Sequence, residues 1–118
     1  MTDFDDWIVE TFGLAGPFTM LVLLVAIHDT GVRPLRSAHL HVMGDELRWP
    51  EMAGHLAGAG AAWDGAVFWR AGREGLVEDA EARRRLSSLV RALNGDFTLI
   101  RDGEFFNRDG LRLSLDDA

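Results

Sequence analysis

Two histidines separated by one residue, His39 and His41, form the most chemically suggestive pattern in the chain. On a strand, side chains two apart share a face, so this pair would present two imidazoles together as ligands for zinc, nickel or iron. A carboxylate such as Asp45 or Glu46 would complete the shell, with His28 and His55 as further candidates for approach in three dimensions. No downstream ligand pattern of a known metalloenzyme type follows. The bland alternative is a pair of solvent-facing or hydrogen-bonded structural histidines. His55 shares a helix face with Met52, Leu56 and Ala59, where a satisfied core imidazole is expected.

Composition removes most other chemistry. The chain has no cysteine, lysine or tyrosine, which excludes disulfides, thiolate ligands, Schiff bases, a P-loop lysine and a phenolic acid. Asp, Glu, His, Arg, Ser and Thr remain. No Gly-x-Ser-x-Gly elbow surrounds Ser37, Ser87, Ser88 or Ser114. The carboxylate pairs Asp5-Asp6, Asp45-Glu46, Glu78-Asp79 and Asp116-Asp117 have the pattern of exposed groups, which make poor acid-base pairs. Gly58-Ala59-Gly60 closes a helix instead of opening one after a strand, so it does not read as a phosphate loop. The absence of a recognisable ligand set implies a protein that works without a tightly bound cofactor.

Charge constrains partners. The formal net charge is −7 with an isoelectric point near 4.9, a field that repels nucleic acid and anionic membranes. Arginine concentrates between Arg70 and Arg91, where six guanidiniums sit among four carboxylates. A solvated face with intrahelical ion pairs explains this simply; a docking surface for an acidic partner through Arg84 and Arg91 is the sharper reading. At the other end, Asp3, Asp5, Asp6 and Glu10 would steer a basic partner. The acidic start lacks the basic region of a secretory signal, which points to the cytoplasm. Exclusive use of arginine as the basic residue suggests a bacterial, GC-rich source.

The elements that must position these groups follow from hydrophobic period and punctuation. Phe4, Trp7, Ile8 and Phe12 mark an amphipathic helix, opened by a Thr2–Asp5 capping box and ended at Gly13. The ten-residue apolar run Phe18 to Ile27 is too short to span a bilayer; Pro17 before it and Gly31 after it favour a buried central helix over a central strand. His39 to Met43 and Glu46 to Trp49 read as two short strands around Gly44-Asp45, with Pro50 opening a helix to about Ala61. Ala66 to Arg70 suits an interior strand. Ala82, Leu86, Leu89, Val90 and Leu93 stripe a helix from Glu78 to Leu93, stopped by Asn94-Gly95. Two Asp-Gly pairs divide Phe97 to Leu115 into three strands of a C-terminal β-meander.

The resulting expectation is a single α+β domain over residues 1–118, with helices packed on a mostly antiparallel sheet. Its core would include Trp7, Leu23, Leu24, Val67, Trp69, Leu86, Leu89, Val90, Leu99 and Leu113. Four tryptophans and 47 % apolar residues suggest surface left over for a homodimer. By elimination, the expected function is a small protein-binding adaptor, regulator or inhibitor without catalytic activity. Its candidate contacts are Arg84, Arg91, Asp5 and Asp6. The alternatives are a metal-assisted hydrolase at His39 and His41, or a winged-helix regulator laid over Pro17 to Leu76. The candidate recognition helix of that last reading carries few cations.

Overall fold

The structure is a computed structural model that describes residues 1–29 and 31–113. Its order is α1 (Asp3–Ala15), β1 (Phe18–His28), β2 (Gly31–Val42), α2 (Trp49–Ala57), β3 (Gly65–Arg70), α3 (Asp79–Gly95), a 3-10 helix (Phe97–Asp102) and β4 (Glu104–Asn107). The strands form one antiparallel sheet in the order β2-β1-β3-β4. The chain is a single α+β domain of the expected class.

The apolar run is a strand, which corrects the expectation of a central helix. In β1, nine consecutive residues from Phe18 to Ala26 are buried. A strand lacks hydrophobic alternation when both of its faces are covered. Here Phe18, Met20, Val22 and Leu24 pack into one core with Phe4 and Ile8 of α1 and Trp49, Met52 and Leu56 of α2. Leu23 and Val25 pack into a second core with Val67, Leu93, Ile100 and Phe105, beneath α3 and the 3-10 helix. The architecture is therefore three layers, with β1 in the middle. Among the described residues no helix is long and apolar enough to cross a membrane. A winged helix over this region loses the helix it needs at Phe18–His28.

Helix α1 begins with the expected capping box: Asp5 N–H donates to Thr2 Oγ1 and Thr2 N–H donates to Asp5 Oδ2, both at 3.1 Å. It runs past Gly13 to Ala15, because Gly16 at φ +70° supplies the stop. Strand β2 is one long edge strand, and Glu46 to Trp49 is no strand; Trp49 and Pro50 instead open α2. The interior strand at Ala66 to Arg70 is as expected.

The C-terminal meander is only partly present. Phe97–Asp102 is a 3-10 helix because Asp96 accepts from both Thr98 N–H at 3.1 Å and Thr98 Oγ1 at 2.5 Å, a local turn that competes with strand pairing. Beyond β4, pairing reduces to the bridge Phe106–Arg112; the rest of the expected last strand, from Ser114, lies outside the described residues. Of the expected core, Leu23, Leu24 and Val67 are buried, while Trp7, Trp69, Leu86, Leu89, Val90, Leu99 and Leu113 are half-buried at the rims.

A candidate metal centre on the edge strand

The alternation of β2 places His39 and His41 on the face covered by α3, opposite Leu21 and Thr19 of β1. Their third partner is Asp79, the first residue of α3, and not Asp45 or Glu46. Asp79 Oδ1 accepts from His41 Nε2 at 2.6 Å and from His39 Nε2 at 3.1 Å. The three ligand atoms lie within 4.8 Å of one another. His39 is 17 % exposed, His41 34 % and Asp79 61 %, so the cluster is rooted in the fold and open on one side. Hydrogen bonds from His41 and then His39 hold the Asp79 carboxyl below the usual carboxylate range.

Thr19 brings the cluster together. This wholly buried residue donates its backbone N–H to Gly75 C=O at 3.1 Å and accepts on its own C=O from Ala71 N–H at 2.8 Å. Its hydroxyl accepts from Val77 N–H at 3.0 Å and lies 2.8 Å from His41 Nδ1. The loop from Ala71 to Val77 is thus laced to one residue of β1, and that lacing delivers Asp79 to the histidines. Gly75 adopts φ +87°, and a Cβ there would sit 2.9 Å from Pro17 C=O, so the close approach requires glycine. Arg85 fastens the other side: it donates to Ala71 C=O at 3.0 Å, to both Glu74 oxygens at 2.9 Å and to Glu81 at 2.7 Å.

Asp79, His41 and Thr19 stand in the order of a carboxylate, imidazole and hydroxyl relay. Thr19 is unsuited to be its nucleophile, since it is fully buried and its oxygen is occupied by Val77 N–H. The arrangement is suited to holding a metal. Two imidazoles and one carboxylate are a ligand set for zinc or ferrous iron that keeps open positions. A tetrahedral ion with bonds near 2.0–2.1 Å needs ligand atoms about 3.3 Å apart. The His39–Asp79 separation of 3.1 Å nearly meets this, and the His41–Asp79 separation of 2.6 Å meets it after a small shift of an exposed carboxylate.

Thr19 also satisfies both protonation patterns of His41. With the proton on Nε2 and bound to Asp79, Nδ1 accepts from the Thr19 hydroxyl. With Nε2 given to a metal, Nδ1–H donates to Thr19 Oγ1, whose own proton turns to Val77 C=O at 3.4 Å. A second hydrogen bond that fixes the ligand tautomer is the usual support of a metal-bound imidazole.

The other sequence candidates lie elsewhere. His28 is at the far end of β1, and His55 is exposed on α2 instead of being a core imidazole; it lines a small cleft with His41 and Glu46 but is not part of the ligand cluster. Asp5 is buried; besides its capping role it accepts from Trp49 N–H at 2.7 Å, so it joins α1 to α2 and is closed to a partner. Asp6 is exposed. Arg84 is exposed but pairs with Glu81 on its own helix, whereas Arg91 has no hydrogen bond or ion pair among the described residues. Asp79 and Thr19 escaped sequence reasoning. The available signal for Asp79 was its place at the start of the clearest helix, where a carboxylate suits the dipole; Thr19 stood out only as the polar residue inside an apolar run. Comparison with protein-family models, characterised proteins and solved structures finds no match to this chain, so its geometry alone carries the functional reading.

Proposed function

We propose that this protein binds a divalent transition-metal ion of the zinc or ferrous class through His39, His41 and Asp79. The single observation that carries the reading is the convergence of a His-x-His pair and a carboxylate from another element, 38 residues away from His41, within 4.8 Å. Three protein ligands leave a position for water or a substrate, as in catalytic metal sites. This supports the metal-assisted hydrolase among the sequence alternatives, and it replaces the expectation of a protein that needs no bound ion.

The docking reading, an adaptor, regulator or inhibitor, keeps two alternative surfaces, the exposed Asp6 on α1 and the exposed Arg84 and Arg91 on α3, of which Arg84 is paired with Glu81 and Asp5 is buried. The test of the metal reading is elemental analysis and equilibrium dialysis against zinc and ferrous iron. One equivalent bound by the wild type and lost in His39→Ala/His41→Ala and in Asp79→Asn supports it. Substoichiometric metal, unaffected by these changes, rejects it. A metal-dependent turnover of esters or phosphoesters, abolished by the same variants, would extend binding to catalysis.

A further inference from the structure

The two elements that carry the candidate ligands, β2 and α3, also flank a cleft whose one charged residue, Arg91, is opposite in sign to the net charge of the protein. On β2, His41, His39 and Ser37 share one face, opposite Thr19, Leu21 and Leu23; on α3, Leu86, Val90 and Arg91 follow Asp79 along the helix. The cleft measures about 370 Å³ and is lined by Ser37, Leu86, Ser87, Val90, Arg91 and Asn94. Ser37 is about 7 Å from His39 along the strand, so the cleft begins next to the ligands.

The arginines of α3 are divided in an informative way. Within Arg83-Arg84-Arg85, Arg84 and Arg85 both reach Glu81 on their own helix, and Arg85 also holds Glu74. Arg83 has its natural partner at i−4 in Asp79, about 6 Å away along the axis. That carboxylate is turned to His39 and His41 instead. Arg83 is exposed and has no hydrogen bond or ion pair among the described residues, one turn from the site. Arg91, two turns farther on the same ridge, is likewise without a partner and lines the cleft.

We infer that the metal centre receives an organic oxyanion: a phosphate or carboxylate head takes an open metal position and the Arg83 guanidinium, while the organic body lies in the cleft against Leu86 and Val90. This rests on the metal reading above. A divalent ion and an arginine on one oxyanion is a recurrent clamp for phosphoryl and carboxyl groups. The half-buried Leu86 and Val90 supply an apolar wall, and Arg91 keeps the far rim positive. With a divalent ion bound, Arg83 and Arg91 make this strip locally positive in a chain of net charge −7, which favours an anion there.

Calorimetric titration of the zinc-loaded protein with phenyl phosphate, phenylacetate and inorganic phosphate tests this. Phenyl phosphate or phenylacetate should bind more tightly than inorganic phosphate. Arg83→Gln should weaken binding about tenfold or more, the worth of one charge-assisted contact, with zinc affinity unchanged, and Arg84→Gln should have no effect. The preferred head, phosphate or carboxylate, is read from which phenyl ligand binds more tightly. If zinc binds but no anion does, or if Arg83→Gln binds as the wild type does, the inference fails and the metal reading stands. If inorganic phosphate matches the phenyl ligands, the cleft has no role and the inference fails in that part. If the wild type takes up no zinc, the metal reading itself is at fault and the inference falls with it.

Discussion

The Thr19 hydroxyl lies 2.8 Å from His41 Nδ1 and also accepts from Val77 N–H, so a single buried oxygen joins the candidate ligand to the loop that carries Asp79. Ligand orientation and loop placement are therefore one structural event. A residue with only one of these roles would not show both effects when changed.

Thr19→Val keeps the shape and removes the oxygen, leaving Val77 N–H without its acceptor. The expected cost is about 1–3 kcal/mol in urea denaturation, for a buried donor left unpaired. Zinc affinity is expected to fall about 10–100-fold, as for lost outer-shell partners of metal-bound histidine. Thr19→Ser should restore most of both. Unchanged zinc affinity in a folded Thr19→Val protein would contradict the positioning role.

Asp5 and Asp6 should separate sharply despite being neighbours. Asp5→Ala removes the carboxylate half of the capping box and leaves both Thr2 N–H and Trp49 N–H without their acceptor, an expected loss of about 2–4 kcal/mol in thermal or chemical denaturation. Asp6→Asn, on the exposed side of α1, is expected to stay within about 0.5 kcal/mol. Equal effects would mean that Asp5 does not join α1 to α2.

Acid should weaken the clamp on the loop. The Arg85 guanidinium hydrogen-bonds Glu74 and lowers its pKa from 4.5 to about 2; Glu81 is lowered too, by Arg85 and then Arg84. A depressed carboxyl contributes stability that is fully present above its unfolded value and disappears as pH falls through its folded value. The Glu74 contribution should thus fade between pH 4.5 and about 2. In Glu74→Gln the stability-against-pH curve should be flatter over that window, and an unchanged slope would show that the Glu74–Arg85 pair is broken in solution.

Gly110 is held at φ +79°, and a Cβ there would meet the Trp49 ring at 2.5 Å, while Trp49 Nε1–H donates to Arg108 C=O at 2.8 Å. Gly110→Ala combines a left-handed backbone with a clash against a buried ring. The expected loss is about 2–4 kcal/mol by denaturation, whereas Gly54→Ala, in open space within α2, should be stabilising by about 0.5–1 kcal/mol.

Local signals carried much of this fold. The Thr2–Asp5 box, the Pro50 helix start and the leucine stripe of α3 each depend on residues a few positions apart, and each is present. Phe18 to Ile27 was ambiguous because its two covers, α1 with α2 and α3, are supplied by distant segments; period alone cannot distinguish a doubly buried strand from a buried helix. Phe97–Asp102 resembled a strand until the Asp96 side chain closed it into a turn. At the site, His39 and His41 were visible as a pair on one strand face. Asp79 was not, since its approach depends on Gly75, Thr19 and Arg85 acting through space.

X-ray absorption at the zinc edge of protein loaded with one equivalent of zinc tests the proposed centre most directly. The expected spectrum shows nitrogen and oxygen neighbours near 2.0–2.1 Å, no sulfur, and the outer-shell scattering of two imidazoles, reduced to one in His41→Ala. A spectrum without imidazole scattering, or one unchanged by His41→Ala, would contradict a centre built from His39, His41 and Asp79.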